Sequence, residues 1–127
     1  MDRLVLDSSV VLACINNEPG SEGILDEAAD FLFSSVNLAE TVGVLIRKGA
    51  SLESARESIA YLDLQIVDFD RALAEETGAM TARTHSAGLS LGDRACLALA
   101  ARESLPAITA DRVWRDIDVG VDIRLIR

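Results

Sequence analysis

Short apolar runs alternate along this chain with longer stretches in which apolar residues recur every three or four positions. The short runs are Leu4-Val5-Leu6, Phe31-Leu32-Phe33, Ile66-Val67, Ala107-Ile108-Thr109 and Ile123 to Ile126. Runs of this length without a polar face predict strands covered on both sides. The longer stretches predict helices. Val10, Val11, Leu12 and Ile15 form one, with Ser8 or Ser9 as its cap, and Ser21 to Ala29 predicts a second. Leu38, Val42, Leu45 and Ile46 mark a third, capped by Ser34-Ser35 and ended by Gly49. Ser51 opens another through Leu62, and Asp70 caps a long helix to about His85 with Gly88 as its stop. Ser90 begins the apolar helix of Ala95 to Ala101. Strands alternating with helices in this way predict an α/β fold around a parallel sheet of about five strands.

At 127 residues and 50% hydrophobic, the chain matches one compact domain, 1–127, able to bury a real core. No linker, internal repeat or low-complexity stretch interrupts it. An acid follows only three apolar residues at the start, so no secretory leader is expected, and no apolar run approaches the roughly 18 residues of a membrane span. The expectation is a soluble, cytoplasmic protein with no membrane partner. Cys14 and Cys96 lack any paired spacing and read as small buried hydrophobes in a reducing compartment.

Charge complicates any nucleic-acid reading. Twelve basic against 21 acidic residues leave a net −9, whereas a non-specific nucleic-acid binder carries a basic face. Clustered carboxylates that hold divalent ions change the arithmetic: two Mg²⁺ ions would take −9 to −5. Eleven of the twelve basic residues are arginine, which suits phosphate contact but also follows from a codon bias.

The predicted architecture turns particular acids into a geometry. In open α/β sheets, ligands bind beyond the carboxyl ends of the strands, where strand order reverses. Asp7 directly follows the first strand, and Glu40 lies about one turn into the helix after the second. Asp93 falls in the first turn of the helix before the fourth strand, and Asp111 stands two residues beyond that strand. Each also has an ordinary explanation. Ser90-Leu91-Gly92-Asp93 has the form of a capping box, Asp7 and Asp111 can be helix caps, and Glu40 can be a solvated helical residue. Asp68, Asp70, Asp116, Asp118 and Asp122 also lie near predicted strands, so location alone selects nothing; joint placement does.

Four segments carry a family resemblance: Leu6-Asp7-Ser8-Ser9-Val10, Ser35-Val36-Asn37-Leu38-Ala39-Glu40, Leu89 through Ala100 with its Gly92-Asp93 helix start, and Thr109-Ala110-Asp111-Arg112-Val113-Trp114. In this order they resemble the blocks of PIN-domain nucleases, and most closely the VapC-type toxins of bacterial toxin-antitoxin pairs. The resemblance spans essentially the whole chain. It implies a PIN-like three-layer fold and an endoribonuclease whose Asp7 and Asp93 bind metal, with Glu40 and Asp111 completing the catalytic site. It implies Ser8 and Thr109 as supporting polar residues, and leaves Asp116 able to share or replace the role of Asp111. The implied cofactor is Mg²⁺, with Mn²⁺ as a substitute. The implied partners are an RNA substrate, a small VapB-like antitoxin and a second copy of the chain in a homodimer or hetero-oligomer.

The chemistry agrees with such a site. Cleaving a phosphodiester places charge on the attacking and leaving oxygens, which hard cations with oxygen ligands stabilise. Other mechanisms lack their parts: His85 is the only histidine and reads as a solvated helix end, no Gly-x-Ser-x-Gly elbow surrounds a serine, and there is no Walker-type loop or Cys/His zinc set. Trp114 and Tyr61 read as packing or rim residues rather than a base-stacking platform. A housekeeping RNA-processing nuclease is the alternative within the family. From other classes, a phospho-accepting receiver would need adjacent acids after the first strand and a late lysine, but Asp7 precedes two serines and the sole lysine is Lys48. A haloacid-dehalogenase-like phosphatase would need an acid at Ser9.

Overall fold

The computed structural model describes residues 2–28 and 30–127. Among them, five strands form one sheet: β1 (Arg3–Leu6), β2 (Asp30–Ser34), β3 (Gln65–Val67), β4 (Ala107–Thr109) and β5 (Ile123–Leu125). All neighbours are parallel, in the order β3-β2-β1-β4-β5. The helices are α1 (Ser8–Ile15), α2 (Ser35–Arg47), α3 (Leu52–Ala60), α4 (Arg71–Ala79), α5 (Thr81–Thr84) and α6 (Leu91–Glu103).

Strand periodicity divides the core in two. Leu4 pairs with Phe31, and Leu6 with Ile108; together with Phe33 they face Val10 and Val11 of α1. The intervening Val5, Leu32 and Ala107 face the other way, onto Leu73 and Met80 and the buried run Cys96 to Ala100 of α6. A satellite cluster of Leu45, Ala55 and Ile59 joins α2 to α3. The result is a sheet between two helical layers, the α/β arrangement expected from the apolar runs. α6 is apolar nearly all round because it lies in the interior, and its alanines let it approach the sheet closely. No helix among the described residues is long and apolar enough to cross a membrane.

Strand order reverses between β1 and β4. The chain runs outward from β1 to β2 and β3, then returns through α4, α5 and α6 to place β4 on the opposite side of β1. The crevice beyond the carboxyl ends of these two strands is therefore the natural ligand site.

Several local expectations need correction. The helix expected over Ser21 to Ala29 is only a 3-10 turn, Ile24–Asp26, with Ala29 outside the described residues. Gly20 and Gly23 sit at φ +91° and +79°, a left-handed backbone that breaks a right-handed helix. A Cβ at Gly20 would also run into the carbonyl of Ile126. The long helix from Asp70 is interrupted at Met80 and ends at Thr84, followed by a 3-10 turn at His85–Ala87. The Thr84 hydroxyl donates to the Met80 carbonyl (2.9 Å), a back-bond that perturbs helical geometry. Neither Ser8 nor Ser9 caps α1; Asp7 holds the cap position. The reading of Trp114 and Tyr61 as packing or rim residues holds: Trp114 is fully buried and Tyr61 is 86% exposed.

Candidate active site

Asp7 stands at the end of β1 and is only 4% exposed, yet its carboxylate makes no cap bond to α1. Its Oδ2 instead accepts from the Ser9 hydroxyl (2.6 Å) and the Thr109 hydroxyl (3.0 Å). Each hydroxyl is itself oriented by a backbone amide beyond β4. Ala110 N–H donates to Ser9 Oγ and Asp111 N–H to Thr109 Oγ1, both at 3.0 Å. With these acceptor positions filled, the hydroxyl protons are directed at Asp7. The β1–β4 pairing, sealed by Asp7 N–H donating to the Ile108 carbonyl (2.9 Å), brings together groups a hundred residues apart in sequence.

Glu40 lies on the second turn of α2 and is half-buried. Its Oε1 accepts from Ser8 Oγ (2.8 Å) and Asn37 Nδ2 (3.0 Å). Asn37, fully buried, also donates to the Gly92 carbonyl (3.0 Å), so α2 is pinned to the first turn of α6. Gly92 is adjacent to Glu40: a Cβ there would run into both carboxylate oxygens. Asp93 forms the expected capping box, its Oδ2 accepting from Ser90 N–H (2.9 Å) and its own N–H donating to Ser90 Oγ (3.1 Å). One carboxylate oxygen holds the helix start while the group as a whole faces the other acids.

Asp111 is exposed and caps a 3-10 turn, Arg112–Asp116, by accepting from Val113 N–H (3.0 Å). Asp116 lies at the far end of that turn. The cap reading holds for Asp93 and Asp111; Asp7 occupies the cap position of α1 without making a side-chain cap bond, and Glu40 is half-buried rather than a freely solvated residue.

The electrostatics show the acids facing one another. Burial pushes the Asp7 carboxyl up to about 6; the Ser9 bond opposes this and the charge of Asp93 adds to it. Burial likewise raises Asp93, against its two Ser90 bonds, with Glu40 and Asp111 pushing further upward. The buried Cys96 thiol beneath them is pushed well up by burial, then by the charges of Asp7, Asp93 and Glu40. Among the described residues, no arginine or lysine pairs with any of the four acids. Arginine does pair with the control acids Asp70 and Asp122.

A hard divalent cation fits this donor set: oxygen ligands, buried negative charge and no resident counter-charge. No three acid, cysteine or histidine side chains among the described residues stand close enough to ligate one ion together as placed. The sequence reading missed Ser9, Asn37 and Gly92 as parts of the site. Asn37 alone had a local signal, lying three residues before Glu40 on the same helical face.

Known proteins share this fold. Among curated proteins no sequence matches significantly. The fold is similar to that of a DNA-bound VapBC complex from Salmonella typhimurium, with 21% identity, a TM-score of 0.73 and full coverage of both chains. It is also similar to VapC20 of Mycobacterium tuberculosis, a sarcin-ricin-loop-cleaving toxin, at 17% identity and TM-score 0.73, covering 86% of this chain and 90% of that one. FitAcB from Neisseria gonorrhoeae gives 19% identity and TM-score 0.69 over 95% and 96% of the two chains. The PIN-domain profile matches residues 4–120, nearly the whole sequence and all four acids, and the chain belongs to the PIN-domain family of nucleases.

Proposed function

We propose that the protein is a Mg²⁺-dependent endoribonuclease, also active with Mn²⁺, and the toxin of a VapBC-like toxin-antitoxin pair. The observation that carries the reading is the buried Asp7 carboxylate at the β1–β4 switch point, coupled to Asp93, which is in turn coupled to Glu40 and Asp111, with no lysine or arginine among the described residues pairing with any of the four. Mg²⁺ typically takes one or two carboxylates and fills its octahedron with water. Asp7 and Asp93 would hold the ion, with Glu40 and Asp111 completing the acidic site. The ion would supply charge neutralisation for the attacking and leaving oxygens and would acidify the attacking water.

The chain's own residues do the rest. Ser9 and Thr109 fix the Asp7 carboxylate through one of its oxygens. Ser8 and Asn37 do the same for Glu40. Ser90 orients Asp93, and the depth of Asp7 keeps bulk water from screening the charges. Prepaid orientation of this kind is what a hydrolytic site needs.

The toxin reading draws on fold neighbours described as DNA-bound VapBC, as a toxin-antitoxin complex and as a sarcin-ricin-loop-cleaving toxin. A small antitoxin with basic side chains suits a chain of net −9, and a homodimer or toxin-antitoxin hetero-oligomer is the proposed assembly. Purified protein should cleave RNA with Mg²⁺, and EDTA should abolish cleavage. Expression should arrest growth, whereas Asp7→Asn and Asp93→Asn should be tolerated. Equal toxicity of all three proteins would defeat the assignment, and RNA cleavage without growth arrest would favour a housekeeping nuclease.

A further inference from the structure

Asn37 and Gly92 occupy no position that the acids' own chemistry requires, yet both meet Glu40. A single amide nitrogen of Asn37 donates to Glu40 Oε1 and to the Gly92 carbonyl, each at 3.0 Å. The side chain is fully buried, and its Oδ1 has no partner among the described residues. Turning the amide over would place Oδ1 against two acceptors, so the observed orientation is enforced and the orphaned oxygen is its cost. Gly92, whose carbonyl the same amide holds, leaves against the carboxylate the space that a Cβ would take. Alanine would favour the α6 helix there, so glycine serves something other than helix stability.

We infer that Asn37 and Gly92 together form a holder that positions the Glu40 carboxylate, committing Oε1 to protein donors and leaving Oε2 for the divalent ion or its water. Asn37 is a positioning residue acting through Glu40, and Gly92 is the clearance that lets α6 close over it. The inference rests on the nuclease reading for what Glu40 is positioned to do. It differs from a packing role, because what Glu40 uses is the amide N–H; leucine has the same branching but is larger, and would remove that donor together with the orphaned oxygen.

The test compares Asn37→Leu and Gly92→Ala with the full wild-type chain, using Mn²⁺ alone as the probe. Metal-free, Gly92→Ala should melt near the wild-type temperature and Asn37→Leu below it, since it loses two hydrogen bonds and adds volume at a buried position, while in both folded variants Mn²⁺ affinity measured by electron paramagnetic resonance falls 10- to 100-fold. In a Glu40→Gln background, Asn37→Leu should add no further loss. Wild-type affinity in the folded variants, or the same loss with and without Glu40, would overturn the inference. If the wild-type chain bound no Mn²⁺, the nuclease reading would fall, and a crystal structure of Asn37→Leu would decide the positioning. Glu40 displaced from Ser8 supports the holder, and Glu40 unmoved overturns it.

Discussion

Replacing Asp7 with asparagine should destroy activity and stabilise the metal-free protein. The carboxyl is 4% exposed and raised from 3.8 to about 6, chiefly by burial. A raised carboxyl contributes stability below its unfolded pKa and loses it as pH rises through the folded one. Between about pH 3 and 7 the metal-free chain therefore surrenders about 3 kcal/mol, from 1.36 kcal/mol per pKa unit. Asparagine keeps an oxygen to accept from Ser9 and Thr109 and carries no charge. Part of the gain is lost to burying the amide, leaving roughly 1–3 kcal/mol, or on the order of 5–10 °C in melting temperature at this chain length. Thermal melts in EDTA at pH 7.5 should place Asp7→Asn above wild type, and at pH 4.5 the gap should nearly close. Saturating Mg²⁺ should reverse the order by stabilising only wild type. An Asp7→Asn protein less stable than wild type at pH 7.5 in EDTA, or a gap independent of pH, would refute the reasoning.

Three further outcomes are expected. Saturating Mg²⁺ or Mn²⁺ should stabilise wild type by roughly 2.7 kcal/mol at a hundred times the dissociation constant, read as a rise in melting temperature against EDTA. Thr109→Val removes a buried hydroxyl that donates to Asp7 and accepts from Asp111 N–H; it should cost about 1–3 kcal/mol in urea melts and slow cleavage. Ser90→Ala breaks the capping box and should cost about 1 kcal/mol of stability, whereas Asp93→Asn should retain the cap and lose cleavage more than a hundredfold.

All five strands were legible as short apolar runs, and the structure places each within a residue or two of its expected bounds; β1, β2 and β4 are buried on both faces, whereas the edge strands β3 and β5 remain partly exposed. Serine and aspartate marked helix starts reliably where their side chains answer a local amide, as at Ser34, Ser51, Asp70 and Ser90. The same rule failed at Ser8 and Ser9, whose hydroxyls are drawn instead to carboxylates: Ser8 to Glu40 and Ser9 to Asp7. Apolar spacing over Ser21 to Ala29 could not outweigh the left-handed glycines that bound the turn. For the site, the acids were visible because strand ends project them to one edge. Their holders were not, since Thr109 meets Asp7 across 102 positions and Asn37 meets Gly92 across 55. Such pairings are set by the parallel β1–β4 register and the packing of α2 on α6, which no local rule encodes.

The most direct test of the central claim is a crystal structure grown in Mn²⁺ with anomalous data. Manganese should appear in the β1–β4 crevice with a carboxylate oxygen of Asp7 or Asp93 about 2.1 Å away, and should vanish in Asp7→Asn. An empty crevice at saturating Mn²⁺, in protein that still cleaves RNA, would contradict the account.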